Sequence, residues 1–186
     1  MTLSTSLLRE FGRTIVPLLA ITAISSPLIS YAQQKYKIDV SPPQQSRYVK
    51  EHIIDAGDAP GHQLRIVEIE KTYTSNHPVV KGVKITDVRQ WAFTNYTNGI
   101  GPVIFYETWS DGRGNTFFVE GTSETQSQIT ATGSRRGTSS GSGRITGGTG
   151  KFATIQGILA GHTEFDSDPK NGYNRNNTNI EYWFRN

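Results

Sequence analysis

The stretch GRITGGTGKFATIQG, residues 143–157, decides the fold. Its three central glycines permit backbone conformations that are closed to other residues, so we expect the chain to reverse after a strand that ends at Thr146. Residues 151–155 then predict one short turn, whose apolar side chains pack against the end of a β-structure. The stretch is a structural motif and carries no chemistry by itself. Its key positions are Gly147, Gly148, Thr149, Gly150, Phe152 and Gly157.

Short β-rich segments lie at regular intervals on both sides of this motif. Turn-forming residues separate them at 75–78, 98–101, 111–114 and 168–172. No segment has a sustained apolar period of 3.6 residues, so an all-β sandwich or barrel is predicted. The Gly/Ser/Thr-rich tract 123–150 is expected to form long hairpin strands rather than a linker. The predicted strands are 63–73, 83–94, 103–110, 115–122, 127–132, 143–146, 157–165 and 179–185.

Composition excludes several classes of protein. The 186 residues include no Cys, which rules out a disulfide scaffold, a Cys-ligated zinc site and a thiol enzyme. The net charge of +3 is too small to indicate a nucleic-acid partner. With 34% hydrophobic residues the chain is expected to fold around one core.

Residues 1–32 have the pattern of a secretory signal peptide. Arg9 and Arg13 precede an apolar run from residue 14 to 29, and Ser30-Tyr31-Ala32 places small residues at the cleavage site. The run is short for a membrane span, so we expect cleavage, export to the periplasm or outside the cell, and no stable membrane insertion. Residues 33–61 are then expected to form an irregular arm, in which residues 48–54 could form a short strand, and residues 62–186 the β-barrel domain.

Alternation in segment 83–94 suggests which face points inward. The odd positions, from Val83 to Phe93, are the more apolar set, so we expect them inside. Asp87 and Arg89 would lie side by side on this face, either as a mutually satisfied pair or as anchors for a ligand.

The candidate ligand-binding side chains are the strand carboxylates, one arginine and two aromatic rings. His162 and Glu164 share a face and could supply two metal ligands, but a site needs a third, so no metal and no cofactor are predicted. No catalytic residue is assigned. The expected ligand-binding residues are Glu68, Asp87, Arg89, Glu107, Trp91 and Phe105.

The motif at 143–157 resembles the (I/F)-x-G-G-T-G-x-(F/Y)-x-x-x-x-G signature of the allene oxide cyclase-like and dirigent-like β-barrel family. This resemblance spans roughly residues 48–186 and implies a calycin-type, eight-stranded antiparallel β-barrel, often trimeric. Family members hold a lipophilic molecule in the lumen, either to cyclise it or to steer the coupling of phenoxy radicals. The resemblance therefore implies a homotrimer or homodimer with a small hydrophobic or aromatic ligand.

Three functional hypotheses follow. The first is an exported barrel that binds a small hydrophobic or aromatic molecule in its lumen. The second is an isomerase or cyclase of the allene oxide cyclase-like type, in which Glu68, Glu70 or Glu107 acts as an acid or base. The third is a secreted interaction protein without catalytic activity, which would expose an apolar patch on the loops 111–114 or 168–177.

Overall fold

The structure is a computed structural model that describes residues 33–167 and 172–185. The predicted signal peptide, residues 1–32, lies outside the described residues. Among the described residues, no helix is long and apolar enough to cross a bilayer.

The described chain is all-β and antiparallel, as predicted. Nine strands form one sheet, in the order β1-β11-β10-β9-β8-β7-β6-β3-β2, while β4 and β5 form a separate hairpin. The strands are β1 Tyr36–Val40, β2 Gln45–Asp55, β3 His62–Thr72, β4 Val79–Val80, β5 Val83–Lys84, β6 Asp87–Thr97, β7 Gly101–Ser110, β8 Thr116–Ile129, β9 Arg135–Gly148, β10 Ile155–Asp166 and β11 Tyr173–Phe184. A 3₁₀ turn, Gly150–Phe152, joins β9 to β10.

The sheet curls strongly. Strands β1 and β2 are its two edges, yet only residues 41–44 connect Val40 to Gln45. Such a link reaches about 17 Å at most, at about 3.5 Å per residue. Nine strands laid flat would separate the edges by about 38 Å, at about 4.8 Å per strand. The edges must therefore approach each other, although no hydrogen-bonded ladder joins β1 to β2 in the described chain.

One end of the curled sheet is filled by a hydrophobic core. Phe117 is fully buried, stacks on Trp109 at 5.5 Å and meets Phe152 edge-to-face at 5.5 Å. The β4–β5 hairpin adds Val80 and Val83 to the same cluster, so the hairpin covers this end of the sheet.

The glycine motif has the predicted structural role. Gly150 adopts φ +57°, the left-handed region that favours glycine, and Phe152 is fully buried. A Cβ at Gly148 would come within 2.6 Å of the Phe152 carbonyl oxygen, so a side chain there would displace the turn. Thr149 fixes the turn by donating from Oγ1 to the Gly114 carbonyl at 3.0 Å.

Three expectations about architecture need correction. The sheet has nine strands, of which eight have 10–14 residues, and its ladder is open where a closed eight-stranded barrel was expected. Segment 33–61, expected to be irregular apart from a possible short strand at 48–54, contains β1 and the longer β2. The separate strand predicted at 127–132 is instead the end of β8 and the following turn, since β8 and β9 form one long hairpin.

Candidate ligand-binding cavity

A cavity of about 770 Å³ lies on the inner face of the curled sheet, beside the hydrophobic core. Alternate residues of the eight long strands line it, and its far end reaches the exposed residues Ser167 and Asn174. A volume in the range of about 300–1,000 Å³ is usual for a small-molecule site.

Strand register divides the cavity into levels. Arg65, Thr94, Val103 and Ser123 are consecutive cross-strand partners and form one mixed polar level. The next level toward the core is apolar on six strands, formed by Val67, Ala92, Phe105, Gly121, Gly143 and Leu159. On β2 the same level carries Glu51, the partner of Val67, which is paired with Arg65. Neighbouring levels are about 6.6 Å apart, because two residues of a strand separate them.

The two glycines of the apolar level are in close contact with their neighbours, and neither lines the cavity. A Cβ at Gly121 would lie 2.5 Å from Cζ of Phe105, so the Phe105 ring occupies the space that a side chain would take. Gly161, one level further from the core, has more room: its nearest neighbours would be Thr178 Oγ1 at 3.3 Å and Asn177 O at 3.7 Å. The wall formed by β8, β9 and β10 is therefore thin.

The deep end of the cavity holds a buried ion pair. Lys71 Nζ lies 2.9 Å from Glu107 Oε1, and Glu107 Oε2 accepts a 2.8 Å hydrogen bond from Trp109 Nε1. Both charged side chains are at least four-fifths buried. The pair presents a fixed carboxylate and an ammonium group that has two further protons to donate.

Tyr73 also lines this deep end. Burial, and secondarily the charge of Glu107, raises the pKa of its hydroxyl above the ordinary value, so Tyr73 stays protonated. That hydroxyl makes no hydrogen bond to any residue the structure describes, and it is available as a donor in the cavity.

A chain of hydroxyl groups runs across the more polar end. Tyr96 Oη donates to Thr125 Oγ1 at 3.0 Å, Thr125 to Ser139 at 3.1 Å, and Ser139 to Ser123 at 3.2 Å. Burial raises the pKa of Tyr96. The direction of donation leaves the hydroxyl proton of Ser123, at the polar level, for another acceptor.

The predicted site residues divide between the two faces of the sheet. Glu107 and Phe105 line the cavity, as expected. Glu68, Asp87, Arg89 and Trp91 do not line it: they alternate with lining residues and point to the opposite face, which corrects their predicted position in the lumen.

Asp87 and Arg89 do not pair with each other either. Arg89 binds the carboxylate of Glu70 and lies 3.5 Å from Glu68, while Asp87 accepts a 2.6 Å hydrogen bond from Thr86 Oγ1. Lys50 also lies 3.4 Å from Glu68. Together with the two contacts of Arg89, this pair forms a charged network on the outer face. The arrangement is that of an ion-pair network around the buried Glu68 rather than a ligand anchor in the cavity.

A break in the strand explains why the expected inward face of segment 83–94 does not hold along its whole length. Val83 and Ile85 are buried, as the odd positions were expected to be, but the chain leaves the strand at Ile85 and Thr86 before β6 begins at Asp87. From there the even positions point inward, beginning with the buried Val88. A two-residue interruption reverses the alternation, and an alternating pattern carries no signal of such a break.

Sequence reasoning missed the lining residues Lys71, Tyr73 and Thr94. The first two share a face with Val67 and Ile69 on β3, and this alternation was a usable signal. Among the described residues, no group of three or more His, Asp or Glu could hold a metal ion. His162 Nε2 and Glu164 Oε1 are 3.9 Å apart and half-exposed.

Comparison with known proteins adds no assignment. No protein-family model matches the sequence, and no curated protein and no solved structure matches it.

Proposed function

We propose that this chain is an exported, periplasmic or secreted protein that binds a small hydrophobic or aromatic molecule inside its curled sheet. The observation that carries this proposal is the 770 Å³ cavity, because a folded core of this size is normally close-packed. The apolar level around Phe105 and Leu159 supplies contact area, and the polar groups at each end supply orientation. No cofactor, metal or nucleic acid is part of the proposal.

The family resemblance of residues 143–157 supports the same function. In that interpretation, the eight long strands correspond to the eight strands of an allene oxide cyclase-like or dirigent-like barrel, and β1 is an added edge strand. The seam between β1 and β2 would then be the place where this chain departs from a closed barrel.

Mass spectrometry tests the binding function directly. Residues 33–186, purified from the native host, are measured under native and denaturing conditions, and the mass difference reports a retained molecule. A stoichiometric adduct with a mass of a few hundred daltons is expected. The proposal is contradicted if the protein has the same mass in both measurements and also takes up no small apolar probe when probes are added.

A second candidate is an isomerase or cyclase acting on the bound molecule. Glu107 favours it, since a buried carboxylate beside an ammonium group and a tyrosine hydroxyl can move a proton. Glu68 and Glu70 lie on the outer face and are unsuited to this role. Glu107→Gln should abolish turnover of the retained molecule, whereas Glu68→Gln, a buried carboxylate of the other face, should leave turnover unchanged.

The outer face suggests self-association. Ile66, Phe93 and Ile104 are consecutive cross-strand partners on β3, β6 and β7, with exposed fractions of 55%, 42% and 60%. Trp91 and Tyr106 lie beside them, with ring centroids 6.3 Å apart. An apolar patch on the sheet fits a homodimer or homotrimer. Ile104→Lys should convert the oligomer to a monomer in light scattering, and a wild-type monomer would contradict this.

A further inference from the structure

Two buried polar atoms in the cavity wall lack a hydrogen-bond partner. Within residues 33–167 and 172–185, Arg65 Nε and Thr94 Oγ1 are the buried side-chain atoms for which no partner exists. A buried donor without an acceptor is costly, so native structures rarely keep one without a functional reason.

These two unpartnered atoms belong to neighbouring residues in the cavity wall. Arg65 and Thr94 are direct cross-strand partners on β3 and β6, and both line the cavity. Thr94 is 95% buried, with 5% of its surface exposed. Two unpartnered buried atoms at one pair of positions indicate one missing acceptor rather than two separate packing defects.

The other contacts of Arg65 and of nearby side chains show which hydrogen-bond donors are free. Its terminal nitrogen binds the Glu51 carboxylate, which leaves Nε unpaired. The Ser123 hydroxyl at the same level ends the hydroxyl chain and retains its proton. Nearer the rim, Arg135 donates to the Asn98 carbonyl at 2.8 Å and to Ser127 Oγ at 3.0 Å, and no carboxylate within residues 33–167 and 172–185 pairs with it.

We propose that Arg65, Thr94 and Ser123 bind the oxyanion head group of an amphipathic organic acid. The inference rests on the proposed function and specifies its ligand. The head group accepts from Arg65 Nε and from the two hydroxyl groups. The apolar body extends toward the core by one level, to Phe105 and Leu159, where the lining side chains of β3, β6, β7 and β10 are apolar.

The test uses two dyes that have the same rings. 1-Anilinonaphthalene-8-sulfonate carries an oxyanion, and N-phenyl-1-naphthylamine is the same molecule without it. Fluorescence titration gives the dissociation constant of each dye with the wild type, Thr94→Val and Arg65→Gln. The controls are Thr122→Val and Arg144→Gln, which change the same residue types on the outer face, Arg144 being paired there with Glu120.

The sulfonate dye should lose about tenfold in affinity in Thr94→Val and in Arg65→Gln, the usual effect of one hydrogen bond to a charged group. The uncharged dye should bind all five proteins equally. Thr94→Val is expected to fold at least as well as the wild type, so it decides the test if Arg65→Gln does not fold.

Three results would overturn the inference. If the uncharged dye binds and Thr94→Val leaves the affinity for the sulfonate dye unchanged, the head-group site is wrong and the cavity remains a binding site. If the outer-face controls lose the sulfonate dye equally, the dye reports another surface and the site is again wrong. If neither dye binds the wild type, both the head-group site and the proposed function are wrong.

Discussion

Arg65 on β3 and Thr94 on β6 face each other across one strand pair, and each buries a polar atom that has no partner in the part of the chain that the structure describes. Several other polar groups of the described cavity wall are paired. The hydroxyl chain from Tyr96 to Ser123 has continuous donors and acceptors, and Glu107 uses both carboxylate oxygens. The unsatisfied pair therefore marks a specific place rather than general looseness.

Thr94→Val should stabilise the protein without ligand. The substitution keeps the shape of the side chain and removes an unpartnered buried hydroxyl, so the free energy of unfolding should rise by about 1 kcal/mol. Thr125→Val is the matched control, because Thr125 is equally buried and its hydroxyl both accepts and donates. Thr125→Val should lower the free energy of unfolding by about 1–2 kcal/mol. Urea denaturation measures both, and equal effects of the two substitutions would contradict the assignment.

Lys71→Met should destabilise the fold strongly. It leaves the Glu107 carboxylate buried without its cation, which costs about 3–5 kcal/mol when a buried pair is broken. The double variant Lys71→Met/Glu107→Gln should recover much of the loss, since the amide oxygen of Gln can still accept from Trp109. Chemical denaturation of the four proteins gives the coupling energy, and strict additivity of the two substitutions would show that the pair does not interact.

Gly150→Ala should cost more than Gly82→Ala. Both glycines have positive φ, +57° and +75°, so alanine is strained at either position by about 1 kcal/mol. At Gly82 a Cβ would meet nothing within 4 Å, whereas at Gly150 it would contact Asn115 Oδ1 and lie 2.9 Å from the Gly114 carbonyl. Thermal unfolding measures the difference. A similar fall in Tm for the two variants would remove the structural role assigned to the glycine motif.

His62 should titrate at higher pH than an ordinary histidine. A hydrogen bond to Asp58, then one to Asn95, raises the pKa of His62 above 6.5, while the pKa of Asp58 is lowered from 3.8. A raised histidine pKa contributes stability below 6.5 that is lost as the pH rises through the folded-state pKa. The lowered pKa of Asp58 contributes stability above 3.8 that is lost as the pH falls through its folded-state value.

NMR titration of the His62 ring checks this, with Asp58→Asn as the comparison. The pKa of His62 should fall back toward its ordinary value in that variant, and the stability difference between wild type and variant should shrink between pH 6 and pH 8. An identical His62 titration in both proteins would refute the contact.

The sequence was most informative where local chemistry determines the backbone. The 3₁₀ turn Gly150–Phe152, with its buried Phe152, follows from glycine conformation and from an apolar residue at the turn. The inward face of β6 could not be predicted, because the break at Ile85 and Thr86 changes the alternation without a sequence signal. Strand β2 was missed in part because all eleven of its residues are exposed, so no buried stripe marks it.

The candidate site was predicted only in part, because strand breaks and the register between strands leave no signal in the sequence. Phe105 and Glu107 were identified because β7 has no interruption. Thr94 gains its significance only from its partner Arg65, which lies 29 positions earlier, and register between distant strands is a property of the folded sheet. The unpartnered polar atoms that mark the site are therefore visible only in the structure.

The most direct test of the central claim compares ligand binding after filling the inside and the outside of the same strand. Gly161 lines the cavity and has room for a Cβ, while its neighbour Ala160 is exposed on the outer face. Titration with N-phenyl-1-naphthylamine should show at least about a tenfold weaker dissociation constant for Gly161→Leu, because the new side chain takes space in the cavity. Ala160→Leu should bind as the wild type does. Equal binding by Gly161→Leu and the wild type would contradict a ligand inside the curled sheet.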